Sequence, residues 1–142
     1  MTAQAAELLE VLWGRVPTVP VSPAQLRVLF VLEHHDGINL RMLAEALGST
    51  PPSTSRLCDR LQAVGFVERR IATMSRRELQ LSLSRRGRAF LSELRAGRER
   101  ALDSVLEQLP ATQRAALREG LEAFCTAAAT LIHDDDSTAR TA

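Results

Sequence analysis

The chain has 142 residues with 45% hydrophobic content, which suits one domain with a real core. Its two cysteines, Cys58 and Cys125, are too few and too far apart for a disulfide framework or a zinc cluster, and 4% aromatic content without tyrosine argues against the stacking platforms that hold single-stranded nucleic acid. The net charge of +1 conceals an uneven distribution: all 18 cationic residues are Arg, and Ser53 to Arg88 hold nine of them against three acids, giving +6 there and −5 over the rest.

Arg suits bidentate contacts with phosphate and guanine. Arg-only usage follows as readily from GC-rich codons, so its clustering carries more weight than its type. In chain order, Met1 to Glu10 is acidic and lacks a long apolar run, which excludes a signal peptide or membrane anchor and implies a cytoplasmic protein. Leu8, Leu9, Leu12 and Trp13 recur at helical spacing until Pro17 and Pro20 end the helix. Ser22-Pro23 reads as an N-cap and first helical residue, opening a helix to about His35 that Asp36-Gly37 closes.

Asn39 caps a short helix with Leu40, Leu43, Ala44 and Leu47 on one face, and Gly48 stops it. Ser49 or Thr50, with Pro51 and Pro52 in the first turn, begins a helix to Val64 that stops at Gly65. Two short helices joined by a tight turn make a helix-turn-helix candidate. At about 100° per residue, Leu57, Leu61 and Val64 form its buried side with Thr54 close by, while Pro52, Ser55, Arg56, Asp59 and Gln62 face outward with Ser53 and Arg60 beside them.

Phe66 to Ile71 and Glu78 to Leu83 have strand character, and Ala72 to Arg77 between them forms a polar, basic hairpin tip. Ser84 caps a long helix through Phe90, Leu91, Leu94, Leu102, Val105, Leu106 and Leu109, broken at Pro110. Thr112 begins a last helix carrying Leu117, Leu121, Phe124, Ala128 and Leu131, and the acidic stretch Asp134 to Ala142 reads as a disordered tail. The fold class is therefore mainly α with a small β-hairpin wing.

Small hydroxyls and Arg at the start of a second helix suit major-groove readout, though alone they fit a solvated face equally well. The hairpin that follows, with Arg69, Arg70, Arg76 and Arg77, shifts the balance, because a basic wing can enter the neighbouring minor groove.

Three runs carry a family resemblance: Asn39 to Leu47 (Asn-Leu-Arg-Met-Leu-Ala-Glu-Ala-Leu), Ser53 to Arg69 (Ser-Thr-Ser-Arg-Leu-Cys-Asp-Arg-Leu-Gln-Ala-Val-Gly-Phe-Val-Glu-Arg) and Leu83 to Arg88 (Leu-Ser-Arg-Arg-Gly-Arg). They resemble the MarR family of multiple-antibiotic-resistance-type regulators, and the flanking helices fit as well. The resemblance implies a winged helix-turn-helix with terminal dimerisation helices, binding pseudo-palindromic double-stranded DNA as a homodimer and acting as a repressor released by an effector. The DNA-binding set it implies is Ser53, Thr54, Ser55, Arg56 and Arg60 from the recognition helix and Arg76 and Arg77 from the wing. Where the family's wing often reads Asp-x-Arg, Ser75 stands in place of the Asp.

One unit spans 1–142, with a DNA-binding lobe over 22–88 and dimerisation helices over 1–16 and 89–133. The dimerisation residues expected are Leu8, Leu12, Leu117, Leu121, Phe124 and Leu131, on apolar stripes too large for a chain this size to cover alone, although part could pack within one subunit. Similar proteins bind small aromatic or phenolic effectors between the dimerisation helices and the DNA-binding lobe. Trp13, Val16, Phe30 and His34 are candidates to line such a cleft, with core packing as their alternative role.

No nucleophile-base pair, phosphate-cradling loop or cofactor motif is present in the sequence, so neither catalysis nor a cofactor is implied. His34-His35-Asp36 and His133 with the following acids lack metal-ligand spacing. Cys58 reads as a half-buried small residue rather than an oxidant sensor. Two readings of other classes share the scaffold. A winged-helix module can serve only dimerisation or protein interaction, which salt-dependent DNA binding separates, and a metal-responsive regulator would take up metal stoichiometrically.

Overall fold

The computed structural model describes residues 2–71 and 79–139, with side chains for 3–71 and 79–129. The elements are α1 (Thr2–Gly14), α2 (Pro23–His34), β1 (Ile38–Asn39), α3 (Leu40–Ala46), α4 (Pro51–Ala63), β2 (Val67–Ile71), β3 (Leu79–Leu83), α5 (Arg85–Leu106) and α6 (Ala111–Ala139). Two compact units divide them, Met1–Ala101 and Leu102–Ala142.

Capping chemistry sets the starts of the helices in the first unit. The Ser22 hydroxyl accepts from the Gln25 amide at 3.3 Å while Gln25 Oε1 accepts from the Ser22 amide at 2.8 Å, a reciprocal box that satisfies two otherwise orphaned donors. Asn39 Oδ1 accepts from the Met42 amide at 2.9 Å and opens α3, and Thr50, rather than Ser49, caps α4. Gly48 (φ +60°) and Gly65 (φ +81°) end α3 and α4 in the left-handed region that favours glycine. At each, the next amide reaches back across the last turn, Ser49 to the Ala44 carbonyl and Phe66 to the Leu61 carbonyl, both at 2.9 Å.

The sheet order is β1-β3-β2, all antiparallel, with Val67 opposite Leu83, Arg69 opposite Leu81 and Ile71 opposite Leu79. β1, whose Ile38 pairs with Leu81, is a strand the sequence did not announce, because two residues are too short to show a period. The core gathers Leu26, Val28, Leu29 and Leu32 of α2, Leu43 of α3, Cys58 and Leu61 of α4, Val67, Leu81 and Leu83 of the sheet, and Leu91 and Leu94 of α5.

In the second unit α5 stops at Leu106, three residues before the Leu109 end expected, and α6 starts at Ala111. The α6 backbone continues to Ala139, so residues 134–139 are helical where a disordered tail was expected; 140–142 lie outside the described residues. Ala, Thr and Asp in this stretch carry only modest helix penalties, so no strong breaker interrupts propagation from the preceding turns.

Candidate nucleic-acid interface

α4 lies with one stripe in the core. Thr54, Cys58 and Leu61 are fully buried, while Leu57 and Val64 are half-buried, so the inward stripe centres on Cys58 rather than on Leu57 and Val64. This corrects two readings. Thr54, counted among the DNA-binding residues, is one turn before Cys58 and two before Leu61, which turns it inward; its Oγ1 has no partner among the described residues. Cys58 is fully rather than half buried, and burial pushes its thiol up to about 11 against the opposing influence of Arg69.

The other side of α4 is open. Ser53, Arg56 and Arg60 are exposed and Ser55 is half-exposed. Thr50 Oγ1 accepts from the Ser53 amide at 3.4 Å and donates to Ser53 Oγ at 3.1 Å, so the cap holds the Ser53 side chain while leaving its own hydroxyl proton free to be donated. Arg56 and Arg60 have no acidic partner among the described residues. Asp59, on the same exposed side, receives Arg69 Nη2 of β2 at 2.5 Å.

That ion pair changes the reading of the wing. Arg69 ties β2 to α4, and Arg70 pairs with its neighbour Glu68 at 2.9 Å, so neither is a free cation. Arg76 and Arg77 lie outside the described residues. The Asp59–Arg69 link was missed because its partners are ten residues apart on different elements and no local period relates them.

The end of α4 is also fastened to the start of α5. The Ser84 hydroxyl donates to the Gly65 carbonyl at 2.6 Å and accepts from the Gly87 amide at 3.0 Å, while the Ser84 amide donates to the Phe66 carbonyl at 3.0 Å. A Cβ at Gly87 would collide with that same carbonyl, so glycine is what lets α5 start against the chain that leaves α4. The Phe66 and Phe90 rings stack at 4.8 Å beside this joint, with Arg86 over Phe66.

Of the expected effector cleft, Trp13, Val16 and Phe30 are half-buried and converge on α5, whereas His34 is exposed. The Arg98 guanidinium lies 5.1 Å from the Trp13 ring centre and 6.0 Å from that of Phe30, and its Nε is buried without an acceptor among the described residues. Val16 fits against Gly97, where an added Cβ would come within 2.8 Å of its methyl group. Arg98 and Gly97 were not singled out from the sequence. A glycine inside a helix, costing about 1 kcal/mol against alanine, was the signal of close approach.

Among the expected dimerisation residues, Leu8 and Phe124 are 58% and 68% exposed, Leu117 and Leu121 are exposed, and Leu12 is half-buried. The Leu131 side chain lies outside the described residues. Within the second unit Leu102, Leu106, Leu117, Leu121 and Cys125 line an apolar groove of about 440 Å³. Among the described residues no helix is long and apolar enough to cross a membrane, and no three His, Cys, Asp or Glu side chains gather to hold a metal ion.

A helix-turn-helix of α3 and α4, backed by a three-stranded sheet whose hairpin extends beside α4, defines a winged-helix protein of the DNA-binding type. Comparison with known proteins agrees. Residues 19–78 match the MarR family. The chain is 30% identical over 108 residues to the HTH-type transcriptional regulator Mb0904 of Mycobacterium bovis, covering 76% of each chain. It is 33% identical over 89 residues to the HTH-type transcriptional repressor MdtR of Bacillus subtilis, covering 63% of this chain and 57% of that one. The crystal structure of RV1404 from Mycobacterium tuberculosis superposes with a TM-score of 0.75 at 32% identity, covering 89% of this chain and 88% of that one. The chain belongs to the MarR family, which comprises transcriptional regulators and not enzymes. Its matches span 44% to 63% of the length of several relatives, MdtR among them.

Proposed function

We propose that this protein is a cytoplasmic, homodimeric repressor of transcription that reads a pseudo-palindromic duplex operator with α4 and lets go when a small aromatic effector binds. The observation that carries the reading is the outward side of α4, where Ser53, Ser55, Arg56 and Arg60 stand without acidic partners among the described residues, on a helix whose opposite stripe is locked in the core. Ser approaches base edges closely and Arg pairs with guanine O6 and N7. Arg76 and Arg77, which lie between β2 and β3 in the sequence, are assigned phosphate contacts.

Dimerisation through the terminal helices is supported by the exposed Leu8 and Phe124 and by the apolar groove of the second unit. Two copies place two recognition helices on half-sites one DNA turn apart. Release by an effector is supported by Arg98, whose buried Nε–H lacks an acceptor among the described residues beside the faces of Trp13 and Phe30. Repression is the activity stated for the relative MdtR.

The test is Arg56→Ala, measured on a selected operator and on random duplex at one salt concentration. Loss of a bidentate guanine contact costs about 1–3 kcal/mol per half-site on the operator and much less on random DNA. Equal loss on both would contradict base reading by Arg56 and leave it a phosphate contact.

A further inference from the structure

The wing carries two large apolar side chains in the open. Ile71 is 72% exposed and Leu79 51% exposed, and they are directly opposed across the hairpin. Side chains alternate along a strand, so Ile71 shares a sheet face with Arg69 and Val67, and Leu79 with Leu81 and Leu83. The inner part of this face, Val67, Leu81 and Leu83, is buried in the core. Its middle, Arg69, reaches across to Asp59 of α4. Ile71 and Leu79 continue that face outward past the ion pair, on the side of the hairpin that looks toward α4.

We propose that Ile71 and Leu79 form an apolar ledge that packs against the deoxyribose wall of the duplex lying between α4 and the wing. The inference rests on the DNA-binding reading above and assigns it residues with no charge. The occupant follows from continuity and charge. The ledge extends the face joined to the outward side of α4, and it lies within the segment from Ser53 to Arg88 whose excess of six positive charges attracts a polyanion. Sugar carbons are the apolar part of a nucleic-acid strand.

The test is Ile71→Thr combined with Leu79→Thr in the full-length chain, with duplex affinity measured over a range of salt concentrations. Thr is β-branched like Ile and favours strands, so the hairpin retains its local preference at both positions while losing apolar area. The ledge predicts a loss of about five- to tenfold in affinity, from the apolar area left uncovered, and no change in the slope of log K against log salt, because no phosphate contact is removed. Ile71→Leu with Leu79→Met should bind as the wild type does, and all three proteins should melt together.

Equal binding by the Thr variant overturns the ledge. A flattened salt slope also overturns it, since the loss then comes from displaced arginines. Unchanged DNA binding with a smaller oligomer assigns the patch to a second copy of the chain and overturns it too. A wild type that binds no duplex overturns the DNA reading and the ledge together, whereas the other failures leave the DNA reading standing.

Discussion

Burial decides the chemistry of the two cysteines in opposite ways. Cys58 packs between Thr54 and Leu61 on the inward stripe of α4, and with its thiol raised to about 11 only about one molecule in a thousand is thiolate at pH 8. Because burial favours the neutral thiol, this protection holds across neutral pH and fades only as pH approaches that value. We expect a thiol reagent at pH 8 to leave Cys58 unmodified in the folded chain and to reach it once denaturant is added. Modification of Cys58 at the rate of a free thiol without denaturant would contradict its placement. Cys125, exposed in the single chain, lines the groove assigned to dimerisation, so the denatured chain supplies the reference rate. The sequence placed Cys58 one position away from the apolar trio Leu57, Leu61 and Val64, and periodicity alone could not say whether the stripe centred on leucine or on cysteine. The fold decides it: Thr54, Cys58 and Leu61 are fully buried, and that rotation turns Thr54 away from the exposed side of α4.

Among the elements, α2 and α5 are joined by paired charges that no local pattern reveals. Arg95 donates from both terminal nitrogens to the two oxygens of Glu33, and Arg88, two turns earlier on the same helix face, stands 3.7 Å from Asp36. These partners are 62 and 52 residues apart in sequence, which is why spacing rules miss them while they capture the caps at Ser22, Asn39 and Ser84, whose chemistry is complete within four residues. Arg95's hydrogen bonds hold the Glu33 carboxyl below the usual glutamate value, outweighing the partial burial that acts the other way. A depressed carboxylate stabilises the fold above its unfolded value of about 4.5 and loses that contribution as pH falls through the folded value. Glu33→Gln should therefore lower Tm by about 2–4 °C at pH 7, the scale of a partly exposed ion pair in a chain of this size. As pH falls through the folded value of Glu33, the variant and the wild type should converge. A deficit of the same size at pH 3 and pH 7 would show that Glu33 acts through packing rather than charge.

At the scale of the whole molecule, the helix-turn-helix and the hairpin were legible because each boundary is written in a local residue type: proline at helix starts, glycine at helix ends, and alternating leucines along β3. The fastening of these parts was not, since the Asp59–Arg69 pair, the Ser84 joint and the approach of Arg98 to Trp13 all join residues distant in the chain. The first two hold α4 at both its sheet side and its C-terminal end and leave its polar side exposed, while the third fixes α1 to α5. On the proposed function, α4 meets a duplex in a fixed register set by two copies of the chain. The direct test is selection of binding sites from random duplex DNA by the full-length protein at a fixed salt concentration. Base reading by α4 in a two-fold dimer predicts enrichment of a pseudo-palindrome whose half-sites are centred about 10 base pairs apart or a multiple of that. Recovery of no preferred sequence, or of a single half-site without its inverted mate, would contradict it.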